Sequence, residues 1–67
     1  MDQEVLNKIS FYGKIIDDLY KKIDVYENEL KTEEDTGRIK VIKKFLTGFK
    51  STVRHYKGEQ KLLAFEN

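Results

Sequence analysis

The spacing of the apolar residues constrains this chain more than any other feature. In the first half they recur at alternating steps of four and three residues: Val5, Ile9, Tyr12, Ile16, Leu19, Ile23, Tyr26 and Leu30. In the second half the alternation resumes and its register runs on to a glutamine and a leucine: Ile39, Ile42, Leu46, Phe49, Val53, Tyr56, Gln60 and Leu63. Such steps place one apolar stripe along an α-helix, and no proline interrupts either stretch. The pattern therefore predicts two long helices.

A single segment between the two stripes, residues 31–37, has the composition of a turn. We predict helix 1 over about residues 2–31 with Asp2 as its N-cap, a turn over 32–36, and helix 2 over about 37–64 with Asp35 or Thr36 as its cap. A connection this short makes consecutive helices antiparallel neighbours. The predicted fold is therefore all-α: residues 1–67 form one antiparallel two-helix hairpin, which assembles into a homo-oligomeric helical bundle.

The small size of the chain is the reason to expect assembly. Sixty-seven residues with no cysteine hold no disulfide and no thiolate metal site. Below about 70–80 residues a single core supplies only about 3–5 kcal/mol of stability. Many apolar residues also lie outside the two stripes: Leu6, Phe11, Ile15, Tyr20, Val25, Val41, Phe45, Leu62 and Phe65. This widened apolar surface predicts either self-association or a groove for a foreign helix.

The net charge of +1 conceals a strong asymmetry along the chain. Residues 1–35 carry five lysines against ten acids, whereas residues 36–67 carry eight Lys and Arg against two acids. One interpretation is an acidic helix lying beside a basic one, with the remaining charges solvated. The other is an anion-binding half. Lys50, Arg54 and Lys57 share one helix face and form the best anion site that the sequence offers.

The sequence carries no pattern typical of an enzyme, so we expect no catalytic residue, no metal site and no cofactor. Asp17 and Asp18 are adjacent and therefore point in different directions on a helix, and the single histidine, His55, has no nucleophile at a fixed spacing. No apolar run approaches the roughly 20 residues of a membrane span. Without a signal-peptide pattern, we expect a cytoplasmic protein that contacts no membrane.

Two glycines fall inside the predicted helices, where each costs about 1 kcal/mol relative to alanine. Either Gly13 and Gly48 allow close approach of the helices, or they give a flat ligand or a phosphate access to the backbone. Aromatic, basic and hydroxyl side chains surround them: Phe11, Tyr12 and Lys14 in the first helix, and Phe49, Lys50, Ser51 and Arg54 in the second. Aromatic rings stack on nucleobases, while Arg, Lys and hydroxyl groups bind phosphate.

The same region carries a family resemblance. Residues 38–54 resemble the second helix of the phage anti-CBASS cyclic-nucleotide sponges, with Leu46, the Gly48-Phe49 pair and Arg54 in the family's order. In the first helix Asn7, Ile9 and Gly13 are similar to the family's Asn-x-Ile…Gly pattern. The resemblance covers about residues 5–57.

The resemblance implies a helical hairpin in a compact oligomer that sequesters the cyclic messengers of bacterial antiphage immunity without cleaving them. A related hairpin occurs in sponges for the Thoeris messenger, so the ligand is either a cyclic oligonucleotide or a cyclic ADP-ribose-type molecule. The chain departs from the family at Ser10, where a lysine is expected, and in the shortness of the aromatic-bearing leader. Lys8 or Lys14, and Phe11 or Tyr12, are the candidate substitutes. The implied location is the cytoplasm of an infected bacterial cell.

The candidate ligand-binding residues combine these observations. Arg54, with Lys50 and Ser51 beside it, is the expected phosphate contact, and Phe11 and Tyr12 are expected to stack on bases or line the pocket. The complete set is Asn7, Lys8, Phe11, Tyr12, Lys14, Gly48, Lys50, Ser51 and Arg54. Two alternatives remain: a small helical regulator that docks its apolar face on a target protein, and a basic-helix nucleic-acid binder. The acidic first helix argues against the latter, so we expect no DNA partner.

Overall fold

Residues 2–66, the part of the chain that the computed structural model describes, form two α-helices. Helix α1 is Gln3–Thr32 and helix α2 is Thr36–Glu66. These residues include no β-strand, which confirms the all-helical prediction. The connection, residues 33–35, is shorter than the predicted turn. Each helix extends one or two residues beyond its predicted C-terminal end, and Thr36 belongs to α2.

Side-chain caps fix the N-terminus of each helix. Asp2 is the N-cap of α1, and its carboxylate accepts a hydrogen bond from the backbone N–H of Glu4 at 3.3 Å. At the start of α2 the carboxylate of Asp35 accepts from the N–H groups of Gly37 at 2.8 Å and Arg38 at 3.2 Å. These bonds satisfy donors that have no partner within a helix. Of the two predicted caps for the second helix, the side chain of Asp35 is therefore the one in use.

The two apolar stripes meet face to face and form the core. The rings of Tyr12 and Tyr56 lie 5.4 Å apart near one end, and those of Tyr26 and Phe49 lie 5.6 Å apart nearer the connection, so the helices are antiparallel. Five stripe residues are buried, with Ile42 completely so: Ile16, Ile23, Ile42, Leu46 and Val53. The remaining stripe residues are partly buried. The predicted packing faces are confirmed.

A hydrogen bond between the helices passes beside the glycine in α1. The side-chain amide of Gln60 donates to the backbone carbonyl of Ile9 at 2.9 Å. A Cβ atom at Gly13 would lie 3.4 Å from that amide nitrogen, in direct contact with it. Gly13 therefore lies where a polar side chain of α2 reaches the backbone of α1, and a methyl group there would make an ordinary van der Waals contact with that side chain.

Most of the apolar residues outside the stripes remain on the surface of the hairpin. Ile15 is partly buried. The other eight are exposed: Leu6, Phe11, Tyr20, Val25, Val41, Phe45, Leu62 and Phe65. Within residues 2–66, neither helix combines the length and the apolar character that crossing a bilayer demands. The hairpin is 50 Å long and only 14 by 12 Å in cross-section, so two helices cannot enclose these side chains.

Candidate functional site

A groove lined by cations runs along one side of the line where the helices meet. Its volume is about 530 Å³. We call it the cationic groove and define it by its lining residues: Tyr20, Ile23, Glu27, Lys50, Val53, Arg54 and Lys57. The first three belong to α1 and the other four to α2.

Helical periodicity places these side chains at the groove. Lys50, Arg54 and Lys57 are spaced at i, i+4 and i+7, so they project from one face of α2 next to its apolar stripe. Tyr20 and Glu27 are seven residues apart and therefore flank the stripe of α1 in the same way. The floor between these two rows is apolar, because it consists of the core residues at positions 23 and 53.

Two contacts cross the cationic groove. The ammonium group of Lys50 forms an ion pair with the carboxylate of Glu27 at 3.2 Å. The ammonium group of Lys57 lies over the ring of Tyr20, 5.2 Å from its centroid, in a cation–π contact. Among the described residues the exposed Arg54 has no ion-pair partner. Of the three cations in the groove, Arg54 is therefore the one whose charge is not paired with another side chain.

Another arginine of α2 is already committed to a partner near the connection. Arg38 forms an ion pair with Glu29 at 2.7 Å, and its Nε also donates to the same oxygen at 3.0 Å. These hydrogen bonds and the charge of Glu29 raise the pKa of Arg38 above its already high ordinary value. Arg38 thus stabilises the junction between the helices, whereas Arg54 remains open to a ligand.

The cationic groove has the chemistry of a binding site for a flat anion. Three cations and one carboxylate leave an excess of positive charge above an apolar floor, with one aromatic ring at the edge. A guanidinium group can bind a phosphate through two parallel hydrogen bonds. Within residues 2–66 no group of three His, Asp or Glu side chains is placed to hold a metal ion. The groove is suited to binding by charge and stacking.

The structure brings together only part of the predicted ligand-binding set. Lys50 and Arg54 both line the cationic groove. Ser51 is exposed but does not line this groove. Gly48 lines a different groove, on the opposite side of the hairpin. The predicted residues of α2 therefore separate onto different faces.

The predicted residues of α1 lie at the far end of the hairpin. Tyr12 belongs to the core stripe and packs on Tyr56, whereas Phe11 is 60% exposed. The amide oxygen of Asn7 accepts from Gln3 at 3.0 Å. The two lysines of this set, Lys8 and Lys14, are exposed. None of these five residues lines the cationic groove, although Tyr12 packs on Tyr56, the residue before Lys57, so they adjoin one end of it.

The opposite side of the hairpin carries a cluster of apolar and aromatic residues flanked by lysines. We call it the apolar face and define it by residues that line its two adjoining grooves: Val25, Tyr26, Val41, Phe45, Gly48, Phe49 and Thr52. The rings of Tyr26, Phe45 and Phe49 form a cluster with centroid distances of 5.6 to 6.3 Å. Lysines 21, 22 and 44 also line these grooves. Aromatic rings that are half exposed in this way offer a large contact surface to a partner.

Five residues of the cationic groove are absent from the predicted ligand-binding set: Tyr20, Ile23, Glu27, Val53 and Lys57. Lys57 was nevertheless part of the anion site predicted from the sequence, because it continues the face of Lys50 and Arg54. Tyr20 and Glu27 each lie one position C-terminal to a residue of the α1 stripe, a signal that marks the edge of a groove. The sequence alone did not show which of the two edges of α1 faces the cations of α2, and the structure shows that it is the edge with Tyr20 and Glu27.

Comparison of the chain with protein-family models, with curated proteins and with solved structures gives no match. The function must therefore be inferred from the chemistry of the cationic groove and of the apolar face.

Proposed function

We propose that this protein is a non-catalytic phage anti-defence sponge, which binds and sequesters a cyclic nucleotide immune messenger in the cytoplasm of the infected bacterial cell. The observation that carries the proposal is the cationic groove, in which Lys50, Arg54 and Lys57 face Tyr20 across an apolar floor. The messenger is a cyclic oligonucleotide or a cyclic ADP-ribose-type molecule. The resemblance of residues 38–54 to the second helix of the anti-CBASS sponges supports the same function.

The size and chemistry of the groove fit such a ligand. Its volume of about 530 Å³ lies within the range of roughly 300–1,000 Å³ that is typical of small-molecule sites. Arg54 and Lys50 would contact phosphate oxygens, and Tyr20 would stack on a base, which contributes about 1–3 kcal/mol. A cyclic ligand is already rigid, so it loses little conformational freedom on binding. Tight binding of the messenger requires no catalytic acid, no catalytic base and no metal ion.

The proposal includes a homo-oligomer. Within one protomer, Phe11 lies about 18 Å and Lys14 about 14 Å along the helix axis from Ile23, the middle α1 residue of the cationic groove. A second copy would supply the N-terminal part of its own α1 to the groove of the first. Assembly therefore gives the predicted residues of α1 a way to contribute to ligand binding.

A second candidate function is supported by the apolar face. Val25 is 62% exposed and Phe45 is 45% exposed, and both lie on the same side of the hairpin. A small helical regulator would dock such a face on a target protein, as amphipathic helices do in apolar grooves. This candidate requires no anion in the cationic groove.

Native mass spectrometry tests the proposal directly. The purified protein is measured alone and with cyclic dinucleotides, cyclic trinucleotides and cyclic ADP-ribose isomers, with the corresponding linear dinucleotides as controls. An oligomer that retains a fixed number of one cyclic ligand, and releases it unaltered on denaturation, is the expected result. An oligomer that stays empty across the panel contradicts the sponge and favours the regulator, whereas release of a cleaved product contradicts the non-catalytic role.

A further inference from the structure

Two grooves lie one after the other on the cationic side of the hairpin. Beyond the cationic groove, toward the connection between the helices, lies a second groove with a volume of about 370 Å³. We call it the proximal groove and define it by its lining residues: Glu27, Leu30, Lys31, Leu46 and Lys50. Glu27 and Lys50 also line the cationic groove, so the two grooves are adjoining compartments along one line of helix contact.

The repeat of the apolar stripes makes the two compartments similar. The floor of the cationic groove consists of Ile23 and Val53, and the floor of the proximal groove consists of Leu30 and Leu46. On each helix the second floor residue lies seven positions nearer the connection than the first. Seven residues are two helical turns, or about 10 Å along the axis. The hairpin therefore presents two apolar floors about 10 Å apart.

The boundary between the compartments is a contact between two exposed side chains. Lys57 lies over the ring of Tyr20 at one boundary of the cationic groove, and Lys50 pairs with Glu27 at the boundary with the proximal groove. The side chain of Lys50 is 57% exposed and that of Glu27 is 47% exposed. An ion pair so exposed contributes little net stability, because water solvates the separated charges. An anionic ligand can therefore displace the carboxylate from Lys50 and open this boundary.

The proximal groove also has a cation of its own, contributed by α1. Lys31 is exposed, and its ammonium group lies 3.5 Å from the amide oxygen of Asn28, a neutral acceptor. Within residues 2–66 its charge is paired with no acid. A cation above an apolar floor is the combination that the cationic groove presents as well. The two compartments therefore suit the same kind of chemical group.

We propose that the proximal groove is a second subsite of the cationic groove, and that the ligand is an anion with two flat groups joined through phosphate. One flat group lies over each apolar floor, and the phosphate between them takes Lys50 from Glu27. Arg54 follows Lys50 by one turn and contacts phosphate as well, while Lys31 contacts the end of the ligand nearer the connection. Because the ligand is that of the proposed function, this proposal depends on that function and adds Leu30, Lys31 and Leu46 to its site.

The two compartments distinguish between the two messenger types of the proposed function. A cyclic oligonucleotide carries two or more bases on a ring that is closed by phosphate links, so it can place a base in each compartment. A cyclic ADP-ribose-type molecule carries a single purine base and leaves one floor uncovered. Each base that is stacked or covered adds to the affinity. The arrangement of the floors therefore favours the cyclic oligonucleotide.

Calorimetry with one-base and two-base probes tests the second subsite. The probes are cyclic di-AMP and cyclic di-GMP, with cyclic AMP and cyclic GMP as their one-base counterparts. We expect one of the dinucleotides to bind about 5- to 150-fold more tightly than its mononucleotide, the scale of one additional stacked base. Lys31→Ala should weaken binding of that dinucleotide about two- to fivefold and leave the mononucleotide unchanged. Lys40→Ala, at an exposed position outside both grooves, is the matched control and should change neither affinity.

Methyl NMR of the natural chain tests the same subsite without a substitution. The bound dinucleotide should shift the methyl signals of Leu30 and Val53, one from each floor, whereas the mononucleotide should leave Leu30 in place. A dinucleotide that shifts Val53 and leaves Leu30 unmoved overturns the second subsite.

The remaining outcomes separate this proposal from the function on which it depends. Equal affinities for the one-base and two-base probes, or retention of a cyclic ADP-ribose isomer with no binding of either dinucleotide, overturn the second subsite and leave the sponge in place. A protein that binds none of these probes and stays empty across the whole panel overturns both.

Discussion

The two long sides of the hairpin share one core and differ in chemistry. The cationic groove presents lysine and arginine beside the core, whereas the apolar face presents a cluster of aromatic rings. Phe49 and Lys50 are neighbours in the chain but lie on opposite sides, because successive residues of a helix are about 100° apart. A two-helix hairpin has a single line of contact, so residues flanking that line on one helix are divided between two surfaces. Two binding functions can therefore occupy one short helix.

This division predicts that assembly and ligand binding can be disrupted separately. The cations of the cationic groove lie beside Tyr20 over an apolar floor, an arrangement that suits an anion, whereas the three lysines at the apolar face flank a cluster of aromatic rings. The apolar face gains from being covered. Substitutions in the core should affect both sides, while substitutions on one side should leave the fold intact.

The largest effect is expected from the core that both sides share. Ile42 is 0% exposed, and Ile42→Ala should cost about 2–5 kcal/mol, which is comparable to the total stability of a chain this small. The variant should be largely unfolded in urea titrations followed by circular dichroism, and should neither assemble nor bind. Lys40→Ala, an exposed position two residues away, is the control and should change stability by less than about 0.5 kcal/mol. Equal unfolding midpoints for the two variants would contradict the packing described here.

The next largest effect is expected on the apolar face. Val25→Lys places a further cation beside Lys21 and Lys22 on the apolar face, so the dissociation constant of an oligomer that buries this face should rise by about 100-fold, or about 2.7 kcal/mol. Sedimentation equilibrium measures this change, and circular dichroism should show that the helices remain. Asn28→Lys makes the same charge change at an exposed position that lines neither side. If both variants assemble like the natural protein, the apolar face is not the interface.

A smaller effect is expected in the cationic groove. Arg54→Ala removes a charge-assisted hydrogen bond worth about 1.5–3 kcal/mol, so affinity for the retained cyclic ligand should fall by about 10- to 150-fold. Isothermal titration calorimetry gives the affinity, and sedimentation should show unchanged assembly. Lys40→Ala removes a cation of α2 outside both grooves and should have little effect. An affinity that survives Arg54→Ala would place the ligand elsewhere.

Glu27 should oppose ligand binding. It is the single acid among the residues that line the cationic groove, and it pairs with Lys50 at 3.2 Å. Glu27→Gln frees that lysine and removes a negative charge, so the affinity for an anionic ligand should increase about two- to fivefold, the scale of an exposed ion pair. Calorimetry at low salt measures the gain. Weaker binding by Glu27→Gln would mean that the carboxylate itself contacts the ligand.

The smallest expected effect is a difference in stability between the isolated protomer and the oligomer. In the protomer, Gly48 and Gly58 both lie in α2 with open space at the Cβ position, so alanine at either should stabilise the helix by up to about 1 kcal/mol. In an oligomer that buries the apolar face, a methyl group at Gly48 takes up space at the contact, so its gain should be smaller. Urea denaturation at low protein concentration measures the gain in the protomer, and at high concentration it measures the gain in the oligomer. Identical gains for both variants at every concentration would remove Gly48 from the interface.

Much of the fold was predictable because its determinants are local. The 3–4 spacing identified the faces that pack, and every apolar residue of both stripes is at least partly buried. Asp2 and Asp35 cap the helices as their short side chains allow. The candidate site was less predictable: the face shared by Lys50 and Arg54 was evident, but its opposite wall was not. Tyr20 and Glu27 form that wall only because of how the helices are aligned.

The sequence by itself determined two helices, their short connection, their buried stripes and the basic face of α2, because each follows from the fixed rotation between neighbouring residues of a helix. The tertiary structure alone decided which edge of α1 lies opposite that basic face. It also decided that Phe11 does not line the groove that contains Arg54, and that the two glycines differ, one beside Gln60 and the other open. These relations depend on the alignment of segments distant in the chain, which the packing of the stripes fixes and local periodicity does not encode.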